Sequence, residues 1–130
     1  MKNRMDSIQF NIRKDNNKKK LIGKAGEDRV AGHLKADGWK ILERNFRYHK
    51  KEVDIIACKD DIITFVEVKT RKSVKFGLGL EAVDKHKRKN ILGVARYYIE
   101  LKKLHDFNVR FDVASIYRTS FLYIEDAFQA

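Results

Sequence analysis

Three ionisable side chains interrupt two otherwise apolar runs. Asp54 lies in Val53-Asp54-Ile55-Ile56-Ala57, and Glu67 and Lys69 close Ile62-Ile63-Thr64-Phe65-Val66-Glu67-Val68-Lys69, the most hydrophobic run in the chain. Taking a carboxylate or an ammonium out of water is costly, and an ion pair recovers the loss only with good geometry. A bound divalent cation would offset it directly. Two acids gripping a hard cation, with a lysine beside them to neutralise developing negative charge, suit hydrolysis at a phosphate. The rival reading is a buried structural ion cluster, which offers little net stability.

These residues meet if the chain between them is one β-hairpin. With Asp60-Asp61 as a two-residue loop, Lys59 faces Ile62 and the ladder carries Asp54 to a position opposite Glu67. Side chains so placed lie roughly 4.5–5.5 Å apart at Cβ. Lys69, two residues beyond Glu67, points to the same side. A slip of one residue would turn Asp54 to the other face.

The elements that hold this hairpin are legible in outline. From Leu21 to Asp37 the apolar residues Leu21, Ala25, Val30, Ala31 and Leu34 recur at helical spacing, and Gly38 supplies a left-handed stop. Trp39 to Tyr48 predicts a partly exposed strand, followed by the two strands of the hairpin. Thr70 to Leu80 breaks the pattern with Gly77 and Gly79, and this loop carries Arg71, Lys72 and Lys75 beside the proposed site. Glu81 to Leu104 predicts a second helix whose early turns hold Lys85, Lys87, Arg88 and Lys89. Phe107 to Tyr117 and Ser120 to Phe128 read as two further strands. The order is α-β-β-β-α-β-β, an α/β sandwich around a mixed sheet in which the crossover helix lets a later strand run parallel to the central one.

Composition narrows the partners. The chain has 130 residues and a net charge of +11, which suits one domain over residues 21–130 behind a flexible basic arm at 1–20. The charge points to a polyanion, above all nucleic acid, against the plainer reading of mere solubility. No run approaches the ~20 apolar residues of a membrane span, and no secretory signal opens the chain, so a cytoplasmic protein without a membrane partner is expected. Cys58 is the single cysteine and reads as a small core residue. His33, His49, His86 and His105 lack paired ligand spacing, and no Gly-rich phosphate loop follows a strand.

Several segments together closely resemble the small bacterial YraN family. They are Gly23-Lys24-Ala25-Gly26-Glu27, Gly38-Trp39-Lys40-Ile41-Leu42-Glu43-Arg44-Asn45-Phe46-Arg47, Glu52-Val53-Asp54-Ile55-Ile56-Ala57 and Phe65-Val66-Glu67-Val68-Lys69-Thr70-Arg71. The likeness continues through Ala82-Val83, Lys87 to Tyr98, and Arg110-Phe111-Asp112-Val113. It departs at Lys51, where the family usually has glycine, and in residues 1–18, which precede the family's usual start. The resemblance implies a restriction-endonuclease-like three-layer sandwich of the PD-(D/E)XK type, similar to archaeal Holliday-junction resolvases. It implies Asp54 and Glu67 as metal ligands, Lys69 as the lysine of the E-x-K signature, Glu27 as a further acid from the first helix, and Lys87 as a basic residue at phosphate.

The expected activity is therefore divalent-metal-dependent hydrolysis of phosphodiester bonds in nucleic acid, chiefly DNA, with branched DNA as one candidate form. Asp54, Glu67 and the carbonyl of Val68 would suit Mg²⁺ or Mn²⁺. Arg71, Lys72, Lys75 and Lys87 are candidate phosphate contacts, each with a solvated lysine or arginine as its rival. Glu27 has as its rival an exposed helix carboxylate balancing Lys24. Asp112 reads as structural. Resolvase-like cutting uses two sites and so would suit a homodimer. The alternative function is a non-catalytic nucleic-acid-binding protein of the same fold, against which stands the acidic pair, since acids repel phosphate.

Overall fold

The computed structural model describes residues 21–71 and 84–129. The arm expected at 1–20, the loop residues Lys72, Lys75, Gly77 and Gly79, and positions 81–83 of the predicted second helix lie outside the described residues.

Helix α1 runs through 21–36. Gly38 ends it as expected, at φ +90°, with Trp39 N donating to Leu34 O at 2.9 Å. Strands β1 (Lys40–Tyr48), β2 (Lys51–Lys59) and β3 (Ile62–Arg71) follow, then helix α2 (Lys85–Lys102), then β4 (Asn108–Tyr117) and β5 (Ser120–Phe128). Asp84 caps α2 by accepting the Lys87 amide at 2.8 Å, and Lys103 closes it in the left-handed region. This is the α/β layout and element order anticipated from the sequence.

The sheet has the order β1-β2-β3-β4-β5, with β3 and β4 parallel and every other pair antiparallel. Each antiparallel pair turns on a two-residue loop: His49-Lys50, Asp60-Asp61 and Arg118-Thr119. The first residue of each loop has positive φ, 57°, 54° and 53° respectively. Lys51 thus enters β2 directly after a tight turn, opposite Tyr48.

One helix covers each face, giving three layers. Val30, Ala31 and Leu34 of α1 pack with Trp39, Ile55, Ala57, Val66, Ala114 and Ile116. Ile91, Val94, Ala95 and Tyr98 of α2 pack with Val53, Ile56, Ile63, Phe65, Phe111 and Val113. Gly26 lets α1 approach β3 closely, because a Cβ there would stand 2.8 Å from Thr70 Oγ1 and 3.3 Å from Ile116 Cδ1.

Strict alternation fails at one place in β2. Val53 and Ile56 both lie beneath α2, whereas Ile55 and Ala57 lie beneath α1, so the strand turns over at Asp54. On β1, Asn45 falls between the paired Arg44↔Ile55 and Phe46↔Val53 and has φ 52°, and the register shifts by one between Ile41 and Glu43. Bulges re-aim side chains in this way. The irregularity surrounds the acid that the sequence singles out.

Candidate functional site

The hairpin has the expected register, with Lys59 opposite Ile62 and pairing that runs to Ile55↔Val66. One step further the register sets Asp54 against Glu67. There the ladder gives way to a side chain: Val68 N donates to Asp54 Oδ2 at 2.8 Å. Glu67 is only 3% exposed, and its Oε1 meets Lys87 Nζ at 2.7 Å and Lys69 Nζ at 3.7 Å. Lys69 arrives by strand alternation, and Lys87 from the first turn of α2, carried over the sheet by the parallel crossover.

Charge and burial act against one another here. Burial, then the neighbouring Glu67 carboxylate and more distantly Glu27, push Asp54 up to about 7, against the Val68 hydrogen bond and Lys87, which lower it. Burial and the adjacent Lys87 ammonium lower Lys69, with Glu67 opposing. Burial also works against the charge of Lys87, but its hydrogen bond to Glu67 outweighs this and the group is raised. The two lysines are therefore driven in opposite directions: burial and the Lys87 ammonium prevail at Lys69, and the hydrogen bond to Glu67 prevails at Lys87.

Glu27 does not project into solvent beside Lys24. It turns toward β1, accepting from Asn45 Nδ2 at 3.0 and 3.1 Å and standing 3.7 Å from Arg44 Nη2. The left-handed turn at Asn45 explains the contact, and neither Asn45 nor Arg44 carried a signal in the sequence beyond falling in a matched segment. A recess of about 410 Å³ opens there, lined by Gly23, Lys24, Glu27, Arg44 and Asn45. Arg71 ends β3, two residues past Lys69 on the same face. Lys72 and Lys75 are outside the described residues.

Among the described residues no group of three or more His, Cys, Asp and Glu side chains is gathered so as to hold a metal ion. Glu27 is thus within electrostatic reach of Asp54 without joining it in one cluster. Asp54 and Glu67 remain as two oxygen donors on adjacent strands, and the described contacts engage one oxygen of each. Such a set fits a hard cation that keeps several waters, as Mg²⁺ does, and would not fit one requiring a complete protein cage.

Asp112 lies outside this site. It is fully buried and accepts from Arg110 Nε and Nη2 at 2.9 Å, from the Tyr123 hydroxyl at 2.6 Å and from Asp126 N at 2.9 Å. Arg110 in turn lies over the Trp39 ring, whose cluster is the one beneath α1, the opposite layer from Lys87. A larger groove of about 550 Å³, between α2 and the β4–β5 pair, is lined by Leu92, Ile99, Phe111 and Phe128 among others and holds none of the site residues. No helix among the described residues is long and apolar enough to cross a membrane.

Residues 26–116, which take in most of α1, all of β1, β2, β3 and α2, and β4 up to its last residue, match Uncharacterised protein family UPF0102. The chain is 46% identical over 118 residues to a UPF0102 protein of Clostridium perfringens (strain SM101 / Type A), covering 85% of this chain and 95% of the relative. It is 46% identical over 99 residues to one from Caldanaerobacter subterraneus subsp. tengcongensis, covering 76% and 81% respectively. A UPF0102 protein of Fusobacterium nucleatum subsp. nucleatum is 49% identical over 94 residues, 72% of this chain and 79% of that one. The matched span contains Glu27, Asp54, Glu67, Lys69 and Lys87, so the segment that builds the site is also the segment by which this chain belongs to the UPF0102 (YraN) family.

Proposed function

We propose that this protein is a divalent-metal-dependent nuclease of the PD-(D/E)XK type, hydrolysing phosphodiester bonds in DNA, branched DNA included. The observation that carries the reading is the meeting of Asp54 and Glu67 just beyond the last paired residues of the β2–β3 hairpin, Asp54 held by the Val68 amide and Lys69 and Lys87 both on Oε1 of Glu67. A structural ion cluster accounts for Glu67, which has its cations. It does not account for Asp54, whose nearest described partner is a neutral amide and whose acid neighbours make its charge unfavourable.

Asp54 and Glu67 would hold Mg²⁺ or Mn²⁺. When bound, the cation would activate water and stabilise negative charge on the phosphate. The Val68 amide fixes the Asp54 carboxylate, and Lys87 fixes Glu67, so neither acid need reorganise. Lys69 stands 3.7 Å from Glu67 with its basicity lowered, and can neutralise charge on the phosphate or release a proton more readily than a solvated lysine. Glu27 holds Asn45 and Arg44 at the mouth of the recess. The net charge of +11 supports a polyanionic substrate.

The test is cleavage of labelled single-stranded, duplex and four-way-junction DNA, and of RNA, with Mg²⁺ or Mn²⁺, by wild type, Asp54→Ala and Lys69→Ala. Metal-dependent cutting lost in both folded variants supports the reading and identifies the substrate. Salt-sensitive binding without cutting under any condition would replace it with the non-catalytic nucleic-acid-binding protein.

A further inference from the structure

The sheet face that carries Glu67 continues toward the end of β3. By alternation Lys69 and Arg71 follow Glu67 on that face. On the parallel neighbour β4, Val113 sits beside Glu67, Ser115 beside Lys69 and Tyr117 beside Arg71. Phe65 and Val113 pack beneath α2, whereas Val66, Ala114 and Ile116 pack beneath α1, which assigns the whole row to the α2 side.

Two polar atoms in this row are buried without a hydrogen-bond partner among the described residues: the hydroxyl Oγ of Ser115 and Nε of Arg71. Ser115 is 1% exposed. Buried polar groups are partnered in the great majority of cases, so each exception calls for a reason. The third such atom, Thr64 Oγ1, lies on the α1 side against Tyr123 and is unrelated. Ser115 and Arg71 instead occur on adjacent strands, next to a lysine whose side chain is 33% exposed and whose Nζ stands 3.7 Å from Glu67, and all three can donate to an anion.

We propose that Ser115 and Arg71, together with Lys69, form an anion subsite that takes a phosphate of a nucleic-acid backbone beside the Asp54–Glu67 pair. The inference rests on the nuclease reading only for the source of that phosphate. Lys69 and Arg71 lie two and four residues beyond Glu67, roughly 7 and 13 Å along the strand. The phosphate held there is therefore a neighbour of the one at the carboxylates, on the same nucleic-acid strand. A tetrahedral phosphate can accept from a serine hydroxyl and from a guanidinium fork, and Lys69, a third exposed, carries the row toward solvent. Ser115 and Arg71 are positioning residues, setting where the strand lies relative to the two acids.

The experiment is fluorescence anisotropy of labelled single-stranded and duplex DNA in EDTA, where no divalent cation is available, with thermal melts of the same samples. Ser115→Ala is expected to bind roughly tenfold more weakly while its Tm holds or rises, because the hydroxyl removed had no partner in the fold. Arg71→Lys, which keeps charge but loses the fork, is expected to weaken binding severalfold, and Arg71→Ala to reduce the salt slope by about one. Ser115→Ala binding as wild type does, or losing Tm at unchanged affinity, would overturn the subsite. Binding weakened by Ser115→Ala in a protein that never cuts would keep the subsite and sink the nuclease reading. Metal-dependent cutting with Ser115→Ala indistinguishable from wild type in affinity would do the reverse.

Discussion

The amide of Val68 donates to Oδ2 of Asp54 at 2.8 Å, in the middle of the Glu67-Val68-Lys69 triplet. One hydrogen bond thereby ties the acid of β2 to the backbone that sets the directions of both Glu67 and Lys69. Asp54→Asn keeps an acceptor oxygen for this amide and removes only the charge. It should fold as wild type does and lose cleavage by on the order of 10²–10³-fold, as when one electrostatic group is removed from a hydrolytic site. Circular dichroism and single-turnover cleavage check the two halves.

Stability should depend on pH through the same residue. The Asp54 carboxyl is 3.8 in its ordinary state and about 7 in the fold. Its folded value is the higher, so between those values the folded protein holds the extra proton, and stability falls as pH rises through that window. Asp54→Asn should therefore gain stability at pH 8, by about 1–3 kcal/mol, and gain little at pH 4. Mg²⁺ should raise Tm of the wild type at pH 8 and have little effect at pH 5, where the acid is protonated. Equal Mg²⁺ shifts at both pH values would remove the pair as its binding site.

Lys69 and Lys87 should separate by function. Lys87 lies 2.7 Å from a carboxylate that is only 3% exposed, so Lys87→Met leaves that charge with only the longer contact to Lys69 at 3.7 Å. A cost of about 1–3 kcal/mol is expected, below the full value for a buried pair because Lys87 itself is partly exposed. Lys69→Met, at 3.7 Å with lowered basicity, should cost less stability and more cleavage. Urea titrations alongside initial cutting rates distinguish the two.

Gly26 permits the close packing of α1 on β3. Gly26→Ala places a methyl 2.8 Å from Thr70 Oγ1, and should destabilise by about 1–3 kcal/mol through overpacking. Adding Thr70→Ala removes the nearest obstacle and should restore most of the loss. A double-mutant cycle on the urea midpoint measures the coupling.

Asp112 tests the opposite layer. Asp112→Ala removes a fully buried acid from Arg110, Tyr123 and the Asp126 amide and should cost about 3–5 kcal/mol, yet leave cleavage per folded molecule unchanged. Activity normalised to the folded fraction from a melting curve decides it.

The parts legible beforehand were those decided by local chemistry. Asp60-Asp61 between two β-branched runs defines a tight turn, and that turn alone determines the register that brings Asp54 to Glu67. Gly38 likewise ends α1 without reference to anything distant. The contacts of Lys87 were not legible, because one basic residue among Lys85, Lys87, Arg88 and Lys89 meets Glu67 only once the crossover has chosen the helix's path and rotation. Nor was the hold of Asn45 on Glu27, which depends on a left-handed residue beside a register shift in an edge strand. Ser115 is silent in sequence for a different reason: a serine within an alternating strand looks tolerated, and only the missing partner makes it notable.

The parallel pairing of β3 and β4 orders events during folding. Asp54 and Glu67, thirteen positions apart, meet at the open end of a local hairpin, whereas Glu67 and Val113 pair across forty-six positions, by way of α2. Short-range contacts form first because the loop they close is smaller. Two like charges are thus brought together early, and the ammonium of Lys87 reaches them only when the crossover docks. The hairpin thus brings both acids and Lys69, whereas the shorter ion pair, Lys87 with Glu67 at 2.7 Å, waits for α2, so the charge balance of the site is completed by a non-local contact.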